Sequence, residues 1–473
     1  MKLVHSSLRA VIVLGSGISC LLGAQARAAD GPQAAGPTDA AVAARAAIQP
    51  SNGSPPDPGG LFDASQWSVH AQATVIEQWH YGFPAEYSGR NSLESSTTED
   101  KHTVTATLFI GRRLWTGAEI YFDPEVPEGE GLSSTVGMAG FPNGEGTRAA
   151  GDSPHYNTSR LFLQQTFEFG GGKEKIDDDE NQLAGEKDVD RLTLTAGKFA
   201  AVDYFDDNAY SHDPRTQFLN WSLMDSGAWD YPADTRGYTA GFVAELKQKD
   251  RAIRYGIMME PQEANQLVLD KHVTRAFAQV LEFDQSYSLD GHPATVRPFV
   301  FFNRADMGSY SEAIENPAAD LDVTRTRAYR SKVGAGLSWD QELTADAGTF
   351  LRLSWNDGKT ESWAFTEIDR SVATGISMKG TAWGRADDVA GLAGVVNGLS
   401  PDHRRYLAAG GYGFIVGDGR LNYGPEEILE AYYDVKIVKG VWLTPDFQYA
   451  EHPGYNRDRG GLPIFAIRAH FEY

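Results

Sequence analysis

Cysteine is almost missing: among 473 residues there is one, Cys20. It lies within the apolar stretch 10–23, which follows Lys2 and Arg9 and precedes the small-x-small triplet Ala26-Arg27-Ala28. That order is the layout of a cleaved secretory signal. Residues 1–28 are therefore expected to be removed, with the mature chain starting near Ala29 and without cysteine. A lipoprotein would need a larger apolar residue three positions before the cysteine, where Gly17 stands. Without thiols, neither disulfides nor thiolate metal sites are open to the mature chain.

Long apolar runs are missing too. Beyond the signal no segment reaches the roughly 18 apolar residues that a spanning helix needs, so helical membrane spans are excluded. Positive charge is in deficit, with a net charge of −22, which argues against nucleic acid as a partner. Catalytic signatures are absent: there is no Gly-x-Ser-x-Gly, no His-Glu-x-x-His and no phosphate-binding Gly-x-x-x-x-Gly-Lys. A glycosidase needs two carboxylates flanking a bond. With 64 acidic residues such a pair arises by chance. Asp177-x-Asp179-x-Asn181 opens like a calcium loop, but Gln182 replaces the required Gly and Asp188 the closing Glu. No cofactor and no metal is expected, and the acidic run Asp177 to Glu180 reads as a solvated turn.

What is present is alternation. From Pro463 to Tyr473 every second residue is apolar or aromatic: Pro463, Phe465, Ile467, Ala469, Phe471, Tyr473. Successive side chains of a strand point to opposite faces, so one face is greasy along its length. In a soluble sandwich such a terminal edge invites aggregation. In a closed barrel the apolar face meets lipid, the polar face meets a wet lumen, and closure removes the edge. Aromatics at 11% and 50 glycines suit girdles, turns and crowded lumen positions.

Residues 29–60 are rich in Ala, Pro and Gly and read as a periplasmic lead-in. From there 61–473 reads as one barrel domain. Alternation gives sixteen strands: 67–79, 101–114, 117–125, 156–170, 190–200, 235–249, 251–259, 273–288, 295–303, 328–341, 347–357, 362–379, 387–397, 427–438, 441–450 and 463–473. Even-numbered connections are mostly short, the acidic 171–189 being the exception, and odd-numbered ones are mostly long. This is the asymmetry of an outer-membrane barrel, and an even count puts both termini on the periplasmic side. The segment 362–379 fits badly, because Glu367 and Asp369 face one way and Arg370 the other.

The polar face lines the channel in this reading, with Arg254, Arg297, Arg352 and Glu430 among its charges. Charged groups bond hydroxyls strongly, and mixed signs avoid a field that selects for ions. Phe299, Phe301 and Trp442 also fall inward, either to stack on sugar rings or to pack beneath a folded-in loop. The connection 201–234 gathers seven aromatics among its acids, including Trp221 and Trp229. Exposed on the rim these would form an apolar patch. Folding into the lumen is expected instead, with Asp213, Arg215, Trp221, Trp229 and Asp230 lining the narrow zone and Arg236 at the start of the next strand.

Several strings resemble the OprB-type carbohydrate-selective porins. They are Gly111-Arg112-Arg113-Leu114-Trp115, Ala139-Gly140-Phe141-Pro142-Asn143-Gly144-Glu145, Asp213-Pro214-Arg215-Thr216-Gln217-Phe218-Leu219-Asn220-Trp221, Gly227-Ala228-Trp229-Asp230-Tyr231, Thr235-Arg236-Gly237-Tyr238, Asp402-His403-Arg404-Arg405-Tyr406, Gly417-Asp418-Gly419-Arg420-Leu421-Asn422-Tyr423 and Pro453-Gly454-Tyr455-Asn456. The resemblance runs from about Trp67 to Tyr473. It implies a sixteen-stranded antiparallel transmembrane β-barrel in the outer membrane of a Gram-negative-type cell that passes sugars passively, with charged and aromatic residues near a loop-formed constriction. The expected partners are mono- or oligosaccharides, outer-membrane lipid and lipopolysaccharide. The barrel is either a monomer or a homotrimer. The alternatives are a general or anion-selective diffusion porin, and an outer-membrane enzyme acting on glycans.

Overall fold

The computed structural model describes residues 65–146, 151 and 153–473. The expected signal and lead-in lie outside the described residues. The strands are β1 (Trp67–His80), β2 (Glu99–Trp115), β3 (Ala118–Gly129), β4 (Asn157–Glu168), β5 (Lys173–Ile176), β6 (Gly185–Asp188), β7 (Arg191–Phe199), β8 (Thr239–Gln248), β9 (Arg251–Met258), β10 (Phe277–Leu289), β11 (His292–Met307), β12 (Ala328–Thr344), β13 (Ala347–Asn356), β14 (Arg370–Gly380), β15 (Arg385–Gly398), β16 (Glu426–Val438), β17 (Val441–Glu451) and β18 (Leu462–Glu472). Among the described residues three short α-helices stand in the loops: α1 (Trp221–Met224), α2 (Tyr310–Glu315) and α3 (Pro401–Ala408).

All strands except β5 and β6 form one closed antiparallel barrel of sixteen strands. Closure joins β18 to β1 in the register Gln72↔Glu472 through His80↔Ile464. The terminal strand behaves as its alternation predicts: Ile464, Ala466, Arg468 and His470 are buried inward, and Ile467 stands exposed on the lipid side. The same outward face carries Leu108, Ile253, Val300, Val372, Leu392 and Leu429. Aromatic rings mark its two edges, with Trp79 stacked on Phe465 at 5.8 Å near the outer rim and Trp383 bonded to Tyr433 at 2.8 Å near the periplasmic turns. Among the described residues no helix is long and apolar enough to cross a membrane; the crossing is made by strands.

Two expectations need correction. The segment 362–379 is not one strand, since β14 begins only at Arg370. Residues 362–369 form a buried stretch inside the barrel, in which Glu367 and Asp369 are almost fully enclosed. Glu367 and Asp369 thereby never join the wall, whereas Arg370, the first residue of β14, stands exposed on its outward face at the outer rim. In the connection 171–189 the acids Asp177 to Glu180 are solvated as expected, but the connection as a whole is more than a turn. It is a hairpin, β5–β6, folded back against the inner wall: Asn181 Nδ2 donates to Asp123 at 3.0 Å, Lys187 pairs with Glu119 at 3.2 Å, and Leu183 is buried in the cluster that holds Tyr121.

The interior is filled from the outside. Residues 205–235 are largely buried, and 216–235 without a break. Room for them is made in the wall. On β12 the inward positions Gly334 and Gly336 lie beneath the rings of Phe301 and Phe299 from β11; a Cβ at Gly336 would stand 2.2 Å from the Phe299 ring. Phe299 packs in turn on Trp229 of the folded-in loop, ring centres 5.2 Å apart.

Candidate channel constriction

A backbone folded into a lumen leaves the sheet ladder behind, and its N–H and C=O groups must find other partners. The wall supplies them from inward charged side chains. From β16, Glu430 accepts from Leu219 N at 2.5 Å and Asn220 N at 2.9 Å. Glu426 accepts from Gly140 N at 2.7 Å, Gly454 N at 2.8 Å and Ala139 N at 3.1 Å. From β13, Arg352 donates to Asp206 O and Leu223 O, each at 2.9 Å, and to Ser211 O. From β18, Arg468 donates to Pro214 O at 2.6 Å and Gln217 O at 2.9 Å. From β12, Lys332 pairs with Asp230 at 2.7 Å, and Asp230 accepts from Trp363 N and Ala364 N at 2.9 and 2.8 Å. Such charge-assisted bonds are roughly twice as strong as neutral ones. Asn220 caps α1 by accepting from Ser222 N at 3.0 Å, while its amide donates to Gly140 O and Gln448, tying two loops to the wall.

The open path beside this loop is a cavity of about 1380 Å³, with loop 201–234 and the periplasmic turns at Lys249–Arg251 and Lys439–Val441 all contributing to its lining. Near the loop it is bounded by rings from three connections. Phe141 stacks on Trp221 at 4.9 Å and 17°; Phe365 lies 4.9 Å from Trp221 and 5.2 Å from Tyr231. Alongside run two charge pairs. Arg215 holds Glu145 with Nη2–Oε2 at 3.1 Å and Nε–Oε1 at 3.2 Å. Arg160 grips both oxygens of Asp203, at 2.6 and 2.7 Å, with its guanidinium 5.6 Å over the Tyr238 ring. Enclosure pushes the Asp213 carboxyl up, but the neighbouring Arg215 guanidinium and N–H outweigh it and hold it below the ordinary value. Burial pushes Glu145 up, and Arg215 and Thr105 only partly oppose that. The result is an apolar aromatic strip beside a track of fixed donors and acceptors.

The sequence candidates divide into two groups. Asp213, Arg215, Trp221, Arg236, Arg254 and Arg297 line the cavity. Arg254 is held by Glu245 at 2.5 Å, Glu282 at 3.1 Å and Asp284. Arg297 is bonded to Asp340. The Nε of Arg236 has no hydrogen-bond partner among the described residues. Trp229, Asp230, Arg352 and Glu430 stand elsewhere: each is at most 2% exposed and packed between loop and wall. They hold the constriction in place rather than face its opening. Sequence reasoning missed Glu145, Phe141 and Phe365. Phe141 and Glu145 lie in a Gly/Pro-rich string where a lone aromatic and a lone acid were signals to weigh. Phe365 was hidden by the strand assignment of 362–379.

The family model described as "Carbohydrate-selective porin, OprB family" matches residues 101–473. Among solved structures the chain is similar to the high-pH structure of Pseudomonas putida OprB, with 13% identity, coverage of 86% of this chain and 94% of that one, and a TM-score of 0.65. It is also similar to the outer-membrane channel DcaP of Acinetobacter baumannii, at 11% identity, 88% and 99% coverage and a TM-score of 0.48. None of the curated proteins is significantly similar in sequence.

Proposed function

The chain belongs to the OprB family of carbohydrate-selective porins, an outer-membrane diffusion channel by family and fold, and from that premise we propose that its solutes are sugars. Mono- or oligosaccharides would cross passively down their gradient. The observation that carries the reading is one cavity bounded by both kinds of surface a sugar needs. The rings Phe141, Trp221, Tyr231 and Phe365, packed on one another, offer an apolar border for the apolar side of a pyranose. The pairs Arg215–Glu145 and Arg160–Asp203 offer hydroxyls both donors and acceptors. Because each guanidinium is already tied to a carboxylate, the pairs bond a neutral solute without demanding a charged one. Binding at several such places is weak enough to release. Asp213, Arg236, Arg254 and Arg297 extend the polar track, while Trp229, Asp230, Arg352 and Glu430 act through the loop they hold.

The test is single-channel current in planar bilayers with a panel of mono- and disaccharides. Saturable, concentration-dependent block by at least one sugar is expected. Conductance insensitive to every sugar would make the protein a general or anion-selective porin. Turnover of a glycan by the purified barrel would overturn the channel reading in favour of an enzyme.

A further inference from the structure

The hairpin β5–β6 rises from the periplasmic end on the same inner wall that faces the constriction. Its base is fixed by Glu174, bonded to Arg191 of β7 and to Lys247 of β8 at 2.9 Å. Its far side is fixed by Arg113, which donates to Ala184 O at 3.0 Å, and by the Asn181–Asp123 and Lys187–Glu119 contacts. The tip, Asp177 to Glu180, lines the same cavity as Asp213 and Arg215 of the constriction loop; enclosure holds the Glu180 carboxyl well above its ordinary value, so the standing charge of the tip is that of its three aspartates.

The charge of the tip is balanced differently from that of the wall. Arg160, Arg215, Arg254 and Arg297 are each bonded to carboxylates of their own. At the tip, Asp177 pairs only with Lys175, both groups more than three-quarters exposed, where such a pair holds little. Asp178 faces His70 at 3.2 Å, which is a cation only when protonated. Neither Asp179 nor Glu180 has an ion pair among the described residues. Those four are compensated, while Arg236, Lys249 and Lys439, which line the same cavity, have no ion pair among the described residues; the hairpin sets its acids against these few cations. Between low-dielectric walls such a field is focused along the path.

We propose that this hairpin is a second, inner filter: it narrows the periplasmic half of the channel, and its acidic tip makes the pore prefer cations and turn back anionic solutes. The family's neutral solutes pass either way, so this property rests on the channel and not on the sugar reading.

The experiment is the zero-current potential across a planar bilayer under a KCl gradient, for the wild type and for D177N/D178N/D179N/E180Q, with heat-modifiable gel migration as the folding control. The wild type is expected to favour K⁺. The quadruple variant is expected to lose that preference severalfold, with sugar block retained. A second variant, with residues 171–189 replaced by a two-residue turn, should show the same loss together with higher conductance. An anion-preferring wild type would overturn the proposal, as would a K⁺/Cl⁻ permeability ratio unchanged in the quadruple variant. Persistence of sugar block in a variant that has lost cation preference separates the two filters.

Discussion

Asp230 is the knot of the constriction, and removing it should release the loop while leaving the barrel closed. Its carboxylate joins three elements: the Lys332 ammonium on β12 at 2.7 Å, and the Trp363 and Ala364 N–H groups of the buried stretch 362–369 at 2.9 and 2.8 Å. Both charged partners are at most 1% exposed in their side chains. Asp230→Ala leaves a buried ammonium with only the Glu361 carbonyl, at 3.1 Å, to satisfy it. Breaking a buried pair by removing one partner costs about 3–5 kcal/mol. Each tenfold in an equilibrium is about 1.4 kcal/mol, so the detached loop should gain roughly two to three and a half orders of magnitude in population. The barrel ladder does not involve Asp230, so heat-modifiable migration should be unchanged. The assay is single-channel recording: the variant should show frequent steps to a higher conductance level that are rare in the wild type. Adding Lys332→Met removes the stranded charge and should recover part of the closed state, the two orphaned N–H groups preventing full recovery. Wild-type conductance and noise in D230A would refute the idea that this pair holds the loop.

Other consequences follow from particular contacts. Gly336→Ala puts a methyl group into the Phe299 ring beneath Trp229; overpacking of this kind costs about 1–3 kcal/mol, and the check is an earlier thermal transition with raised open-channel noise. Phe471→Asp with Tyr473→Asp places charge at the periplasmic interface, where the intrinsic penalty is only about 0–1 kcal/mol per charge; a small fall in the temperature at which gel migration shifts is expected, and a loss as large as that of a midplane charge would contradict this placement of the rings. Burial raises the Asp369 carboxyl, but His403 at 3.1 Å and the Ser400 N–H outweigh it and hold it below its ordinary value of 3.8. A depressed carboxylate stabilises the fold above its unfolded pKa and loses that contribution as pH falls through its folded pKa; hydrogen-exchange protection of α3 should therefore fall more steeply below about pH 4 in the wild type than in Asp369→Asn, and identical profiles for the two would contradict the sign.

The wall was legible because lipid on one side and water on the other impose a strict two-residue period. Arg254, Arg297, Arg352 and Glu430 were placed inward by that period alone, and each points inward in the barrel. The interior was harder to read. A loop inside a lumen obeys no period; its burial is set by what the wall offers it. That is why Trp229 and Asp230 were recognised as belonging to the folded-in loop, yet not as residues that grip the wall instead of facing the opening. Residues 362–369 misled for the same reason: enclosed polar chain imitates strand alternation while belonging to no strand. The acids Asp177 to Glu180 are solvated as read, but nothing in them reports that Asn181, Leu183 and Lys187 draw the connection against the wall.

The central claim is that one folded-in loop both narrows the path and supplies the surface on which sugar rests. Excising residues 208–230 and measuring single-channel conductance and sugar block on the same preparation tests it most directly. The account predicts that conductance rises and sugar block weakens together, because Arg215 and Trp221 leave with the loop. Unchanged conductance and unchanged sugar affinity would contradict it, making the loop a cap and leaving selectivity to wall residues such as Arg254 and Arg297.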